Sequence, residues 1–286
     1  MLALRLRRFR GHRDILSRGL KSSNVDFEGL RFHYYHADNG RPPLIMLHGF
    51  LDSAQTFRKL LPELLERFDL YVIDTPGFGY TRMPPVRELW DLRSMARSMA
   101  RFVRKKLELR DARLLTHSMG GLIAAHMAEY IRETEQVALF SRMDMIAPGM
   151  FRLPEQDRDT ARRRLYPRDT YEIKELLRTL YHADMPMPPD IVLKGLLREW
   201  TRVGYYYLAE NTIESEDEMF FTPARLRALK TPLRLYWGEE DKITPLEMAR
   251  KIKRAVKGTK LFTFPDAGHA LHLVKGREVL EAFLND

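Results

Sequence analysis

No cysteine occurs anywhere in the 286 residues. That absence excludes a disulfide framework, a thiolate nucleophile and every cysteine-based zinc or iron–sulfur site, so any chemistry must come from hydroxyl, imidazole or carboxylate side chains. Long apolar runs are missing too. No stretch approaches the ~20 apolar residues of a membrane span, and the basic start is never followed by the uninterrupted apolar segment of about 7 to 15 residues that marks a conventional signal peptide. Repeats and low-complexity tracts are also lacking. The remainder suits a folded protein: 44% hydrophobic and 30% charged residues, in a chain near the upper limit of a single hydrophobic core. One domain with a sizeable insertion is the natural expectation.

The net charge of +9 is unevenly placed. Residues 1–22 hold Arg5, Arg7, Arg8, Arg10, Arg13, Arg18 and Lys21 against Asp14 alone, so two thirds of the excess sits in one terminal arm. No basic face for reading nucleic acid is expected from such a distribution. The arm also carries Leu2, Leu4, Leu6, Phe9, Ile15, Leu16 and Leu20. It reads either as a basic amphipathic segment lying on an anionic membrane surface or as a locally packed arm. The expected location is cytoplasmic, with peripheral membrane contact through residues 1–22 under the first of these readings; oligomeric state is left open.

Short apolar runs recur at Leu30–Tyr35, Leu44–Leu47, Leu70–Ile73, Leu114–Thr116, Val137–Ile146, Leu233–Trp237 and Leu261–Phe264, with helix-like periodicity over Ser53–Phe68, Asp91–Leu109 and Met119–Tyr130. Such alternation predicts an α/β fold, a mostly parallel, doubly wound sheet, with ligands bound beyond the carboxyl ends of the strands. The alternation breaks in the middle of the chain, where helical patterns such as Tyr171–Tyr181 and Ile191–Tyr207 occur without a buried strand. The predicted organisation is therefore an arm (1–22), a core (23–148 and 231–286) and a helical cap (149–230).

Three residues that follow strands can cooperate chemically. Ser118 stands in Thr116-His117-Ser118-Met119-Gly120-Gly121, a tight strand-to-helix turn that presents a hydroxyl at the top of the sheet. A serine needs a base and the base an orienting carboxylate; Asp241 and His269 follow two later strands, in the order Ser, Asp, His. Alone, each has a plainer reading as an N-cap serine, a turn carboxylate or a helix-start histidine. Jointly they point to acyl transfer. The N–H groups of Phe50, in Leu47-His48-Gly49-Phe50, and of Met119 are candidates for the oxyanion hole. His48 is expected to hold its loop. No metal or organic cofactor is required.

With these residues in hand the chain resembles the α/β-hydrolase superfamily from about Asp26 to its end: His48-Gly49-Phe50, Asp74-Thr75-Pro76-Gly77-Phe78-Gly79, His117-Ser118-Met119-Gly120-Gly121, then Asp241 and His269. It is most similar to the capped monoacylglycerol lipase and bacterial lipase/esterase branch, with Tyr171–Leu177 and Met187-Pro188-Pro189-Asp190-Ile191 as a cap of similar cadence. The resemblance implies a structural role for the Asp74–Gly79 segment. Two features depart from pattern: Thr116 occupies a place usually held by glycine, which demands extra room, and Arg142 and Asp144 interrupt an otherwise apolar strand, so that the strand breaks or the two pair.

A serine at 118 argues against superfamily members with an aspartate nucleophile, the haloalkane dehalogenases and epoxide hydrolases. The expected activity is hydrolysis of a small-molecule ester or lipid, a monoacylglycerol or medium-chain acyl ester, through an acyl-enzyme. Candidate substrate-binding residues are His48, Met150, Phe151, Met187 and Tyr206. Two alternatives stand beside it. A carbon–carbon hydrolase of meta-cleavage type would need cations such as Arg142, Arg198 or Arg202 for a dienoate carboxylate. A non-catalytic ligand-binding homologue would be expected to lack part of the triad.

Overall fold

A computed structural model describes residues 2–85, 91–181, 187–201, 203–214 and 218–285. Helix α1 (Leu2–Ser17) leads into β1 (Lys21–Phe27), β2 (Leu30–Ala37) and β3 (Pro43–Leu47). A 3-10 turn at Ala54–Lys59 and α2 (Leu61–Leu65) precede β4 (Asp69–Ile73). Next come α3 (Leu92–Arg101), whose end continues as a π-helical turn at Phe102–Lys106, β5 (Ala112–His117), α4 (Met119–Glu135) and β6 (Phe140–Ile146). Five helices follow: α5 (Glu155–Leu165), α6 (Thr170–Tyr181), α7 (Asp190–Trp200), α8 (Val203–Glu214) and α9 (Pro223–Ala228). The chain ends with β7 (Leu233–Gly238), α10 (Leu246–Ala255), β8 (Lys260–Phe264), α11 (Leu271–Val274) and α12 (Gly276–Leu284).

The strands form one eight-stranded sheet in the order β1-β2-β4-β3-β5-β6-β7-β8. β1 and β2 pair antiparallel with their neighbours, and all other pairings are parallel. β3, β5 and β7 are almost wholly buried, as strands covered on both faces must be. The strand order reverses between β3 and β5, so the loops leaving these strands diverge and open a crevice there. Helix α4 runs from that point with Met119 through Ala128 all buried; its glycines and alanines let it lie close to the sheet.

Several expected elements differ in extent. The pattern read as one helix over 53–68 is a 3-10 turn followed by a short helix, with Pro62 in the first turn of the second piece, where a missing N–H costs nothing. The helix expected over 191–207 ends at Trp200 and resumes at Val203. Val137, expected in a strand, is 43% exposed and precedes β6. β6 itself is unbroken: Arg142 Nε donates to Asp144 Oδ2 at 2.8 Å, so the pairing outcome holds.

The helices between β6 and β7 are tied down at α9. The Arg225 guanidinium forks onto Glu129 of α4, with Nε–Oε1 at 2.9 Å and Nη2–Oε2 at 2.6 Å. Burial alone would raise the Glu129 carboxyl, but the His126 ring, 3.7 Å away, and the Arg225 guanidinium hold it down to about 2. Apart from the main core, Leu4 of α1 packs with Ile173, Leu177, Leu193 and Leu196 of α6 and α7 in a second apolar cluster. The arm is therefore a helix docked at both ends, since Ile15 and Leu20 are buried in the main core. Among the described residues no helix is long and apolar enough to cross a membrane.

Candidate active site

Ser118 sits at the turn between β5 and α4 with φ +50° and ψ −120°, a sparsely populated conformation for a residue with a side chain. The turn is held by its neighbours: the Ser118 N–H donates to the Ile146 carbonyl at 2.9 Å and the Gly121 N–H to the Ser118 carbonyl at 2.9 Å. Glycine is required at 120, because a Cβ there would lie 2.4 Å from the Leu47 carbonyl oxygen and 2.7 Å from that of His48. This contact brings the loop after β3 against the start of α4. Thr116 is accommodated in the same economical way. It is fully buried and faces Gly121, where a Cβ would stand 3.3 Å from the threonine hydroxyl, so the facing residue is the smaller one. Among the described residues the Thr116 hydroxyl has no hydrogen-bond partner.

The three sequence-predicted catalytic residues are brought together. His269 Nε2 is 2.8 Å from Ser118 Oγ, and His269 Nδ1 is 2.8 Å from Asp241 Oδ2. A carboxylate only accepts, so the ring proton belongs on Nδ1 and the Nε2 lone pair faces the serine hydroxyl. The Asp241 carboxylate is pinned by further donors: the N–H groups of Ile243 and Thr244 at 2.8 and 2.9 Å on Oδ1, and the Thr244 hydroxyl at 2.9 Å on Oδ2. Thr244 escaped sequence reasoning, although an acceptor three residues before a threonine is the signal of such a side-chain turn. Gly238 at the end of β7 permits the loop carrying His269 to approach, for a Cβ there would lie 2.3 Å from the Ala267 carbonyl oxygen.

The oxyanion candidates lie where the two loops meet. A Cβ at Gly49 would be 3.2 Å from the Ser118 Cβ, which sets the backbone beside Phe50 against the serine. Among the described residues the N–H groups of Phe50 and Met119 have no backbone carbonyl acceptor. Behind this loop His48 is fully buried; its Nε2 accepts the Thr75 N–H at 3.1 Å and its Nδ1 donates to the Gly49 carbonyl at 2.8 Å. It holds the loop and lines neither cavity beside Ser118, so the expectation of substrate contact is corrected. Asp74 is likewise structural, accepting from His33, Ala54 and Tyr80 at 2.7, 2.7 and 2.9 Å.

Two cavities meet at Ser118, and Phe50 and Ile243 border both. One, of about 380 Å³, is apolar, with Leu122, Phe151, Phe220 and Met248 in its wall. The other, of about 260 Å³, mixes Leu177, Tyr181 and Trp200 with Asp52, Thr56 and Arg58. Of the expected substrate-binding residues, Phe151 lines the apolar cavity. Met150 is buried in the main core, Met187 packs on the second cluster, and Tyr206 is 51% exposed against Tyr166; each is corrected. The inward member of the Tyr205–Tyr207 run is Tyr205, stacked on Phe78 at 5.0 Å. Of the cations considered for a carboxylate, Arg142 is committed to Asp144, Arg198 is exposed and Arg202 lies outside the described residues. Sequence reading missed the contribution of α1, whose Arg7 and Arg8 border the polar cavity, Arg8 pairing with Glu199 at 3.1 Å.

Two further histidines lie under the polar cavity. Burial lowers His117 well below the usual histidine range, with His272 and His269 adding to the effect, and it lowers His272 to about 3. Both rings are therefore neutral at physiological pH.

Comparison with known proteins agrees with this construction. The chain is 24% identical over 250 residues to the uncharacterized hydrolase YugF of Bacillus subtilis, covering 85% of this chain and 89% of that one. It is 23% identical over 257 residues to the 2-hydroxy-6-oxononadienedioate/2-hydroxy-6-oxononatrienedioate hydrolase of Escherichia coli K12, covering 86% and 88%. The crystal structure of naproxen esterase (carboxylesterase NP) from B. subtilis superposes with a TM-score of 0.78 at 18% identity, covering 98% and 96% of the two chains, which speaks for the fold. A profile of the alpha/beta hydrolase family matches residues 44–282, and with that span the chain belongs to the alpha/beta hydrolase family.

Proposed function

We propose that this hydrolase is a serine ester hydrolase that works through an acyl-enzyme. The observation that carries the reading is the unbroken chain Ser118–His269–Asp241, two hydrogen bonds of 2.8 Å, placed where two cavities meet. Ser118 Oγ attacks the ester carbonyl while His269 Nε2 takes its proton; Asp241 holds the imidazole and stabilises the imidazolium. The Phe50 and Met119 N–H groups receive the oxyanion. His269 then protonates the departing alcohol, and a water activated by the same nitrogen releases the acid. The apolar cavity suits an acyl chain and the polar one an alcohol bearing hydroxyls, so a monoacylglycerol or a medium-chain acyl ester is the substrate we favour.

Carbon–carbon bond hydrolysis is the second reading. It is favoured by the likeness to the E. coli hydrolase and by Arg7 and Arg58 at the polar cavity, which offer a carboxylate two cations. Labelling with a fluorophosphonate, beside initial rates on p-nitrophenyl esters of graded chain length, a monoglyceride and a ring-cleavage dienoate, separates the readings. Labelling at Ser118 with ester turnover peaking at medium or long chains is expected. Labelling with dienoate turnover alone would transfer the assignment, and no labelling would return the ligand-binding homologue.

We also place α1 against anionic membrane surfaces. Leu6, Phe9 and Leu16 are 46%, 54% and 38% exposed, interleaved with exposed Arg5, Arg10 and Arg13, a pattern suited to a lipid headgroup boundary. Deleting the arm would strip Ile15 and Leu20 from the core, so the test is Leu6→Ser/Phe9→Ser. Wild type should bind vesicles containing phosphatidylglycerol and release in high salt, and the double variant should bind at least fivefold more weakly. Equal binding by the two would reject the assignment.

A further inference from the structure

We propose that His117, His272 and Asp52 form a binding site for a borderline divalent transition-metal ion, represented by Zn²⁺, in the floor of the polar cavity. One ring nitrogen from each histidine and a carboxylate oxygen of Asp52 lie within 4.8 Å of one another. The two rings stand 4.4 Å apart between centroids, and all three residues border the cavity, which supplies an entry path.

The hydrogen bonding leaves lone pairs pointing at nothing. His117 Nε2 lies 3.0 Å from the His269 carbonyl oxygen; a carbonyl cannot donate, so the proton is on Nε2 and Nδ1 is a bare lone pair. His272 Nε2 is 2.8 Å from the Thr56 hydroxyl. With its proton on that nitrogen, the ring donates to the Thr56 oxygen. His272 Nδ1 is then bare as well. Both Nδ1 atoms are buried without a partner among the described residues, in rings 6% and 1% exposed. Gly49 keeps the first of them uncovered, since a Cβ there would stand 2.8 Å from His117 Nδ1.

Buried acceptors without donors are costly. Two neutral imidazoles and a carboxylate are all electron-pair donors, and a cation satisfies them together. Their chemistry selects the ion: two nitrogens and one oxygen suit zinc with an open fourth position, whereas calcium and magnesium call for oxygen throughout. Bonds of about 2.0 Å at tetrahedral angles need ligand atoms roughly 3.3 Å apart, a closure open to the half-buried Asp52 side chain. Thr56 and the His269 carbonyl would orient the rings as outer partners. An ion here stands beside Ser118, occupies the space assigned to the alcohol and opposes positive charge on His269, so it inhibits reversibly. The inhibition, unlike the binding, rests on the proposed ester hydrolysis.

Calorimetric titration of chelator-treated full-length protein with ZnCl₂, with Co²⁺ absorption as a second readout, tests the site. Wild type should bind one ion saturably, and His272→Gln and Asp52→Asn should each weaken it at least tenfold; Asp52→Asn, at the cavity surface, covers a folding failure of the buried variant. Ca²⁺ should not bind at the same concentration. No saturable Zn²⁺ binding up to 1 mM, unchanged affinity in both variants, or equal Ca²⁺ affinity would overturn the proposal. Loss of ester turnover on adding Zn²⁺, restored by chelator, is expected in parallel; binding without inhibition would overturn the inhibitory role alone, and a chain without esterase activity leaves the calorimetric result standing.

Discussion

Ser118→Ala is expected to lower p-nitrophenyl ester turnover by about 10⁴-fold or more while the urea midpoint stays in place. The residue lost carries the oxygen proposed as nucleophile, and its backbone, not its side chain, holds the turn through Ile146 and Gly121. Asp241→Asn should cost about as much, for a different reason. The Asp241 oxygens are fixed between the backbone of Ile243 and Thr244 and the Thr244 hydroxyl, so an amide must point a donor at a donor or press His269 into the tautomer that turns a proton toward the serine. Thr244→Val removes one of four hydrogen bonds on the carboxylate and should cost about tenfold or more, the worth of one hydrogen bond to a charged acceptor. Initial rates with active-site titration measure all three. A Ser118→Ala protein retaining more than about a tenth of wild-type turnover would sink the triad assignment.

Asp144→Ala should be strongly destabilising, by about 3–5 kcal/mol. Asp144 is fully buried in the sheet, where it accepts from Arg142 Nε and Tyr236 Oη at 2.8 Å each, with Arg113 at 3.7 Å. Burial pushes its carboxyl up while the arginines pull it down. Removing it deletes the acceptor of Arg142 Nε and of the Tyr236 hydroxyl inside a buried network, and breaking that buried pair dominates the cost. Arg113 is also held by Phe283, whose ring lies 4.1 Å from the guanidinium, so the loss should not spread along β5. The double change Arg142→Met/Asp144→Leu should be milder than Asp144→Ala, because both members of the Arg142–Asp144 pair are then removed together. Equilibrium urea unfolding tests this; a loss below about 1 kcal/mol for Asp144→Ala would mean that water reaches the network.

The inner parallel strands were legible because burial on both faces writes itself as an apolar run, and Ser118, Asp241 and His269 because each lies within a few residues of a strand's end. β1 was not, since Lys21-Ser22-Ser23-Asn24 belongs to an edge strand that pairs through its backbone and buries little. Nor could composition tell which residue of Tyr205–Tyr207 faces inward, a matter of helix rotation by one residue. His117 and His272 look like ordinary neighbours of a serine and a histidine; only the fold reveals that 155 positions of separation close to ring contact. The polar cavity was least legible of all, because its walls are assembled from α1, the loop after β3, α6 and α7.

That assembly has a consequence for the protein while it is being made. Arg8 meets Glu199 across 191 positions, and among the described residues the other buried members of Leu4's apolar cluster lie at 173–196. At about 5–20 residues per second of synthesis, roughly 10–40 s pass between the emergence of α1 and that of its partners. For that interval a helix bearing Leu4, Leu6, Phe9 and five arginines is exposed on the nascent chain. The segment is at its most accessible then, before the finished protein folds half of it away.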